Sequence, residues 1–180
     1  MSISRETLAK YISPGCFFLE TGTKWGDTAI RAKELGAAYS WTIERDSLMA
    51  ALAHCHCNDA LPYTRYGCVV FRVICCDSPA ALYDPSAIEY IAEGNRQGRR
   101  TVVFLDAHDE HKSPILRELE AIAEWQGKAD VILIDDRRCW DGWGIQEQQV
   151  RDAIAKIGQY DIGFDTGVAP EDILVARRIV

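Results

Sequence analysis

The chain has 180 residues, 48% of them hydrophobic and 26% charged, which is the make-up of one ordinary globular domain covering residues 1–180 with its own core. Acidic residues outnumber basic ones 27 to 20, giving a net charge of -7; this argues against nucleic acid or an anionic membrane surface as the main partner, because both select basic patches. The uninterrupted apolar runs are strand-sized, too short for a membrane-spanning helix.

In chain order, the opening MSISRETLAKYISPG is polar and lacks the apolar stretch of an export signal. Short β-rich apolar runs then alternate with longer segments of helical spacing. The strand candidates are 16–21 (CFFLET), 39–44 (YSWTIE), 69–76 (VVFRVICC), 101–106 (TVVFLD), 130–135 (DVILID), 160–165 (YDIGFD) and 171–177 (EDILVAR). Several are apolar throughout rather than alternating, as suits strands buried on both faces of a parallel sheet. Helix candidates fill the gaps: 27–35, ending at Gly36; 47–54, capped by Asp46; 86–97, ending near Gly98; a segment opened by Ser113 as N-cap and Pro114; and 145–157, ending at Gly158. Only the last two strands lack a helix between them, with 166–170 as a hairpin turn. The pattern predicts an α/β fold: a single-domain, Rossmann-like, doubly wound sheet of seven mostly parallel strands. The last strand is expected to be antiparallel, and helices to cover both faces. Ligands in such sheets bind at the carboxyl ends of the strands, and polar residues gather there.

The first strand runs into Glu20-Thr21-Gly22-Thr23-Lys24-Trp25-Gly26-Asp27-Thr28. A glycine-bearing turn before a helix allows close backbone approach to a ligand, but it also makes an ordinary tight turn, and the spacing is not that of a dinucleotide fingerprint. Glu44, at the tip of the second strand, follows Glu20 at close to the ~20-residue interval of a nucleoside-binding unit, where an acid accepts the ribose hydroxyls; Asp46 reads as a helix cap. Asp77-Ser78 ends the third strand, as a helix cap or as a contact to a purine amino group. Asp106, His108 and Asp109 follow the fourth strand, and Asp135-Asp136-Arg137-Arg138 the fifth. Three carboxylates delivered to one edge repel one another unless a cation lies between them, and oxygen-only ligation favours Mg2+, Mn2+ or Ca2+. Taken singly, Asp135 reads as a helix cap and Asp136 as a partner of Arg137 or Arg138.

These residues resemble the class I S-adenosylmethionine-dependent methyltransferases over nearly the whole chain. The turn with Glu20, Gly22 and Gly26 is similar to the family's first motif, Glu44 to its ribose acid, Asp77-Ser78 to its adenine contact, and the terminal hairpin to its antiparallel last strand. FLDAH (104–108) and ILIDD (132–136) are similar to the metal-dependent small-molecule O-methyltransferases of the macrocin and catechol types. The resemblance implies S-adenosylmethionine as cofactor, held by Glu20, Thr21, Gly22, Thr23, Gly26, Asp27 and Thr28, by Glu44 and Arg45, by Asp77 and Ser78, and by Asp106. It implies a divalent metal, most simply Mg2+, on Asp106, Asp135 and Asp136, and a proton acceptor at His108. Two departures stand out: Lys24 replaces the middle glycine of the first motif, and Asp109 stands where the catechol type has a lysine base.

Methyl transfer needs the acceptor aligned behind the methyl and made nucleophilic. A metal can lower the pKa of a bound hydroxyl, and a histidine near neutrality can collect the proton. The expected acceptor is a small molecule, a sugar or hydroxylated ring, bound through Arg137, Trp140 and Trp143, with one of the tryptophans packing as core. The short N-terminal segment leaves little for a lid, so a second copy in a homodimer could cover the pocket. The seven cysteines, an odd number without an export signal, read as reduced thiols and imply a cytoplasmic location. His54-Cys55-His56-Cys57 reads as a frayed helix end rather than a zinc site, and Cys75 and Cys76 as small hydrophobes on opposite sides of a strand. Two other classes remain open: a nicotinamide-dependent oxidoreductase, and a non-catalytic binding module on the same fold.

Overall fold

The computed structural model describes residues 3–60, 71–125 and 127–179. Their elements, in chain order, are α1 (Arg5–Ala9), β1 (Phe17–Thr21), α2 (Asp27–Glu34), β2 (Tyr39–Glu44), α3 (Ser47–Ala60), β3 (Phe71–Cys75), α4 (Ser78–Leu82), α5 (Pro85–Arg96), β4 (Thr101–Leu105), α6 (Ile115–Ala123), β5 (Val131–Ile134), α7 (Glu147–Ile157), β6 (Tyr160–Asp165) and β7 (Ile173–Arg178). Two 3-10 turns, Arg137–Cys139 and Asp141–Trp143, lie between β5 and α7.

One seven-stranded sheet has the order β3-β2-β1-β4-β5-β7-β6. Strands β1 to β5 pair in parallel, and β7 runs antiparallel to both β5 and β6. This is the expected architecture. The continuously apolar runs are buried on both faces: Phe17 and Leu19 of β1 enter one core layer and Phe18 the other. In the same way Val103 and Leu105 of β4 face one layer, and Val102 and Phe104 the other. The first layer is completed by α4 to α7, through residues such as Leu82, Ile91, Leu119 and Ile154. The second is completed by α1 and α2, through Leu8, Ala29 and Ala32.

Several boundaries differ from the sequence reading. The helix expected to end at His54 runs on to Ala60, so the His-Cys tract lies inside a helix rather than at a frayed end. Its residues diverge: His54 and Cys55 are exposed, His56 Nε2 pairs with Asp27 Oδ1 at 3.2 Å, and Cys57 is buried. Cys75 is exposed and Cys76 half-buried against the core. Short helices α1 and α4 were not expected, because five residues carry too little periodicity to declare themselves. Pro114, not Ser113, is the N-cap of α6; the Ser113 hydroxyl donates to Ala107 O at 2.8 Å. Residues 69 and 70, expected to open the third strand, lie outside the described residues. Among the described residues, no helix is long and apolar enough to cross a membrane.

Candidate functional site

Strand order reverses between β1 and β4, and the register aligns their carboxyl ends. Thr21 pairs with Ile43 on one side and Leu105 on the other, and Leu105 pairs with Ile134. Glu44, Asp106 and Asp135, each the next residue along, therefore emerge at one edge of the sheet. A cavity of about 740 Å³ opens there, within the size range of small-molecule sites. No residue of α1 lines it, so the N-terminal segment packs into the second core layer rather than over the opening.

On the β1–β2 side, Glu20 lines the cavity yet is only 1% exposed. Thr42 Oγ1 donates to its Oε2 at 2.8 Å. Burial pushes this carboxyl up to about 8, against the opposing hydrogen bonds from Thr42 and Thr28. At neutral pH it is a neutral acid beneath the cavity floor. Glu44 lies across from it. Its Oε2 accepts from Lys24 N at 3.0 Å and its Oε1 from Asp46 N at 2.9 Å. The carboxylate is thereby fixed with lone pairs left over for a ligand diol. Lys24 has φ 50°; it adopts the left-handed conformation a glycine would take, and its amide reaches Glu44. Gly22 has φ 77°, and a Cβ on it would lie 2.4 Å from Asp106 O, so glycine here lets the β1 and β4 loops meet. Gly26 packs on Cys57 and is not part of the cavity wall. Thr21 is also behind the wall, its Oγ1 accepting from Asp106 N at 3.3 Å. Thr23, Asp27, Thr28, Arg45, Asp77 and Ser78 all line the cavity. Asp77 stands at the N-cap of α4 but makes no capping hydrogen bond; it faces Arg117 at 3.8 Å.

On the β4–β5 side the arrangement differs from expectation. Asp106, Asp135 and Asp136 do not form one ligand set. Asp106 lies with His108 and Asp136, whereas Asp135 lies with Asp136 and Asp172. Asp135 is 2% exposed and outside the cavity lining; its Oδ1 accepts from Asp136 N at 2.8 Å. Asp136 joins the two groups, and both its oxygens are taken. Oδ2 lies 3.0 Å from His108 Nε2, and Oδ1 lies 2.5 Å from Arg138 Nη2. Arg138 Nη1 also binds the buried Asp172. Burial pushes the Asp136 carboxyl up, but His108 and Arg138 together outweigh it and hold the group below its ordinary value. The hydrogen bond that His108 donates to Asp136, against the opposing effect of burial, raises the value of His108. Its other nitrogen, Nδ1, lies 3.3 Å from the carbonyl of Asp109, and its ring stacks on Trp143 at 5.1 Å.

None of the three residues expected at the acceptor lines the cavity; Trp143 stands behind His108, on which it stacks. Trp140 is 2% exposed in the first core layer, with Nε1 directed at Asp135 O. Arg137 is drawn away by Glu147 at 2.9 Å and by the Phe164 ring at 4.4 Å. Arg138 takes its place at the cavity. Sequence reasoning also missed Asp172, whose local sequence gives no sign of a site; it arrives because β7 runs back beside β5. It missed Glu118 of α6 as well, fully buried behind Ser78 and Thr21, where burial pushes its carboxyl up to about 7.

No family model matches the chain, and no curated protein matches it. Solved structures do match. The putative methyltransferase yhhF from Escherichia coli superposes with a TM-score of 0.63 at 14% identity, covering 98% of this chain and 86% of that one. The magnesium protoporphyrin IX methyltransferase from Synechocystis, with S-adenosylhomocysteine bound, gives 0.60 at 14% identity over 97% and 81%. The fold is that of the class I methyltransferases. The chain spans only 46% of the length of a third similar structure, a putative S-adenosylmethionine-dependent methyltransferase from Streptococcus mutans, which has a TM-score of 0.53 and 16% identity over 96% of this chain.

Proposed function

We propose that the protein is an S-adenosylmethionine-dependent methyltransferase acting on a hydroxyl group of a small molecule such as a sugar or hydroxylated ring. The observation that carries this reading is the Glu44 carboxylate, held by two backbone amides at the β2 tip and facing a cavity at the point where strand order reverses. The donor set fits the cofactor. Glu44 offers acceptors to the ribose diol, Asp77 and Ser78 offer polar contacts for a purine, and Glu20 underlies the place of a positive charge. Thr21 and Gly26, implied as contacts by the resemblance, support the wall from behind.

S-adenosylmethionine supplies, when bound, a methyl group on a cationic sulfur. The chain's residues do the rest. Asp136 Oδ2 accepts from His108 Nε2–H and fixes the ring, which leaves Nδ1 to receive the acceptor's proton once the acceptor hydroxyl displaces the carbonyl of Asp109. Trp143 stacks on the imidazole and supports it. Asp106, 4.0 Å from His108 Nε2, adds to the stabilisation of the imidazolium that forms. The raised His108 value means that the neutral form, and so the rate, increases as pH rises through that value.

Metal assistance is not part of this reading. The expected ligands Asp106, Asp135 and Asp136 do not converge, and Asp136 is already bound on both oxygens. The net charge of -7 supports a small acceptor over a polyanionic one. The deciding experiment is calorimetric titration with S-adenosylhomocysteine and, separately, with NAD. Stoichiometric binding of the first alone is expected; binding of NAD in preference would replace the reading with that of an oxidoreductase.

A further inference from the structure

The carboxylates at the β4–β5 edge pose a physical problem. Asp135, Asp136 and Asp172 are each at most 6% exposed, and each offers an oxygen within 4.8 Å of the others. Three buried carboxylates that close cannot all remain ionised without positive charge among them. A divalent ion could supply it. Here the chain places a guanidinium there. Arg138 Nη2 reaches Asp136 and Nη1 reaches Asp172, so one planar fork spans both acids, the arrangement for which arginine is suited and a lysine is not.

The local backbone is built for this contact. Asp136 has φ 55°, in the left-handed region, and is the N-cap of the 3-10 turn Arg137–Cys139. That reversal sends Arg138 back onto the carboxylate two residues before it. Arg138 N also donates to Asp172 Oδ1 at 3.3 Å, and Val168 N donates to Asp172 Oδ2 at 3.1 Å. The hairpin between β6 and β7 thus grips the second acid from the other side. A strained non-glycine residue held by contacts from two segments is a position the fold over-determines.

We infer that Arg138 is a resident cation that fills the place of a divalent metal ion between Asp136 and Asp172, so that the site is closed to metal and works without it. That the site functions without metal rests on the methyltransferase reading; the exclusion of metal follows from the side chains alone. It also separates the two neighbouring arginines, since Arg137 is committed to Glu147 and leaves the acidic group untouched.

The test is titration with Mn2+, followed by the electron paramagnetic resonance signal of the free ion, on wild type, Arg138→Met and Arg137→Met. Wild type and Arg137→Met are expected to show no stoichiometric binding, with any Kd weaker than about 1 mM. Arg138→Met uncovers the acids and is expected to bind one Mn2+ at least about tenfold more tightly than wild type. A merely structural arginine would give no such gain. Stoichiometric binding of Mn2+ to wild type overturns the inference, and this holds even where Arg138→Met does not fold. A folded Arg138→Met with no gain overturns it equally. S-adenosylhomocysteine is titrated into wild type in parallel. Its failure to bind removes the methyltransferase reading and leaves the metal result to stand or fall on its own.

Discussion

The two halves of the cavity neutralise their acids in opposite ways. On the β1–β2 side, Glu44 is held by the backbone amides of Lys24 and Asp46, and Glu20 by the hydroxyl of Thr42. These partners are uncharged. A positively charged ligand can therefore add to this half without displacing anything. On the β4–β5 side, Asp136 is held by His108 and Arg138, which are cationic or become so. That half brings its own counter-charges to the acid. A row of carboxylates along one sheet edge is thus not one kind of site; what each acid is bonded to decides its chemistry.

The largest expected effect falls where the two halves touch. Gly22→Ala places a Cβ against Asp106 O at a positive φ. It is expected to lower stability by roughly 2–3 kcal/mol and to weaken S-adenosylhomocysteine binding with it, as read by urea denaturation and calorimetry. An alanine variant with wild-type stability would show that the loops can separate and that the junction is not shared. Next, Glu44→Ala removes the fixed acceptor on the uncharged side. S-adenosylhomocysteine should bind about 10–100-fold more weakly, with the fold intact.

Glu20 sharpens the comparison through pH. Its folded value of about 8 lies above its ordinary 4.5, so between those limits the unfolded chain ionises it while the folded chain keeps the proton. Stability of the ligand-free protein should therefore fall as pH rises through that window, and Glu20→Gln should flatten the slope. A bound cation favours the ionised form, so S-adenosylmethionine binding near pH 7 should release a proton, measurable as a buffer-dependent binding enthalpy. Proton uptake on binding would place the positive charge elsewhere. The smallest effect is on the other side. Asp136→Asn removes the main cause of the raised His108 value, and a histidine NMR titration should move it down toward the ordinary 6.5. In wild type, the stability that this pair contributes is present between the lowered Asp136 value and the ordinary 6.5 of a histidine, and is lost as pH rises through the raised His108 value; the asparagine variant should lack that loss.

Much of this was legible in the chain itself. Runs such as VVFL and VILI are apolar at every position because both faces of their strands are buried, and the absence of a helix before the last strand marked the antiparallel hairpin. The strand-tip acids Glu20, Glu44 and Asp106 were equally visible, because a parallel sheet sends the ends of its strands to one edge. The short helices were not, and the length of α3 was underestimated because its polar surface blurs where its apolar face stops.

What the sequence by itself determined is the order of strands and helices, and with it the edge at which Glu20, Glu44, Asp106 and Asp136 emerge; periodicity and burial are local properties that propagate into topology. Only the tertiary structure decided how those acids are compensated. It turned Arg137 away to Glu147 and Trp140 into the core, put Arg138 between Asp136 and Asp172, and brought Asp172 to the site from just before β7, 34 residues beyond Arg138. Pairing between distant charges depends on where antiparallel neighbours bring them and on which side chain can reach. Neither is written in the spacing of residues along the chain.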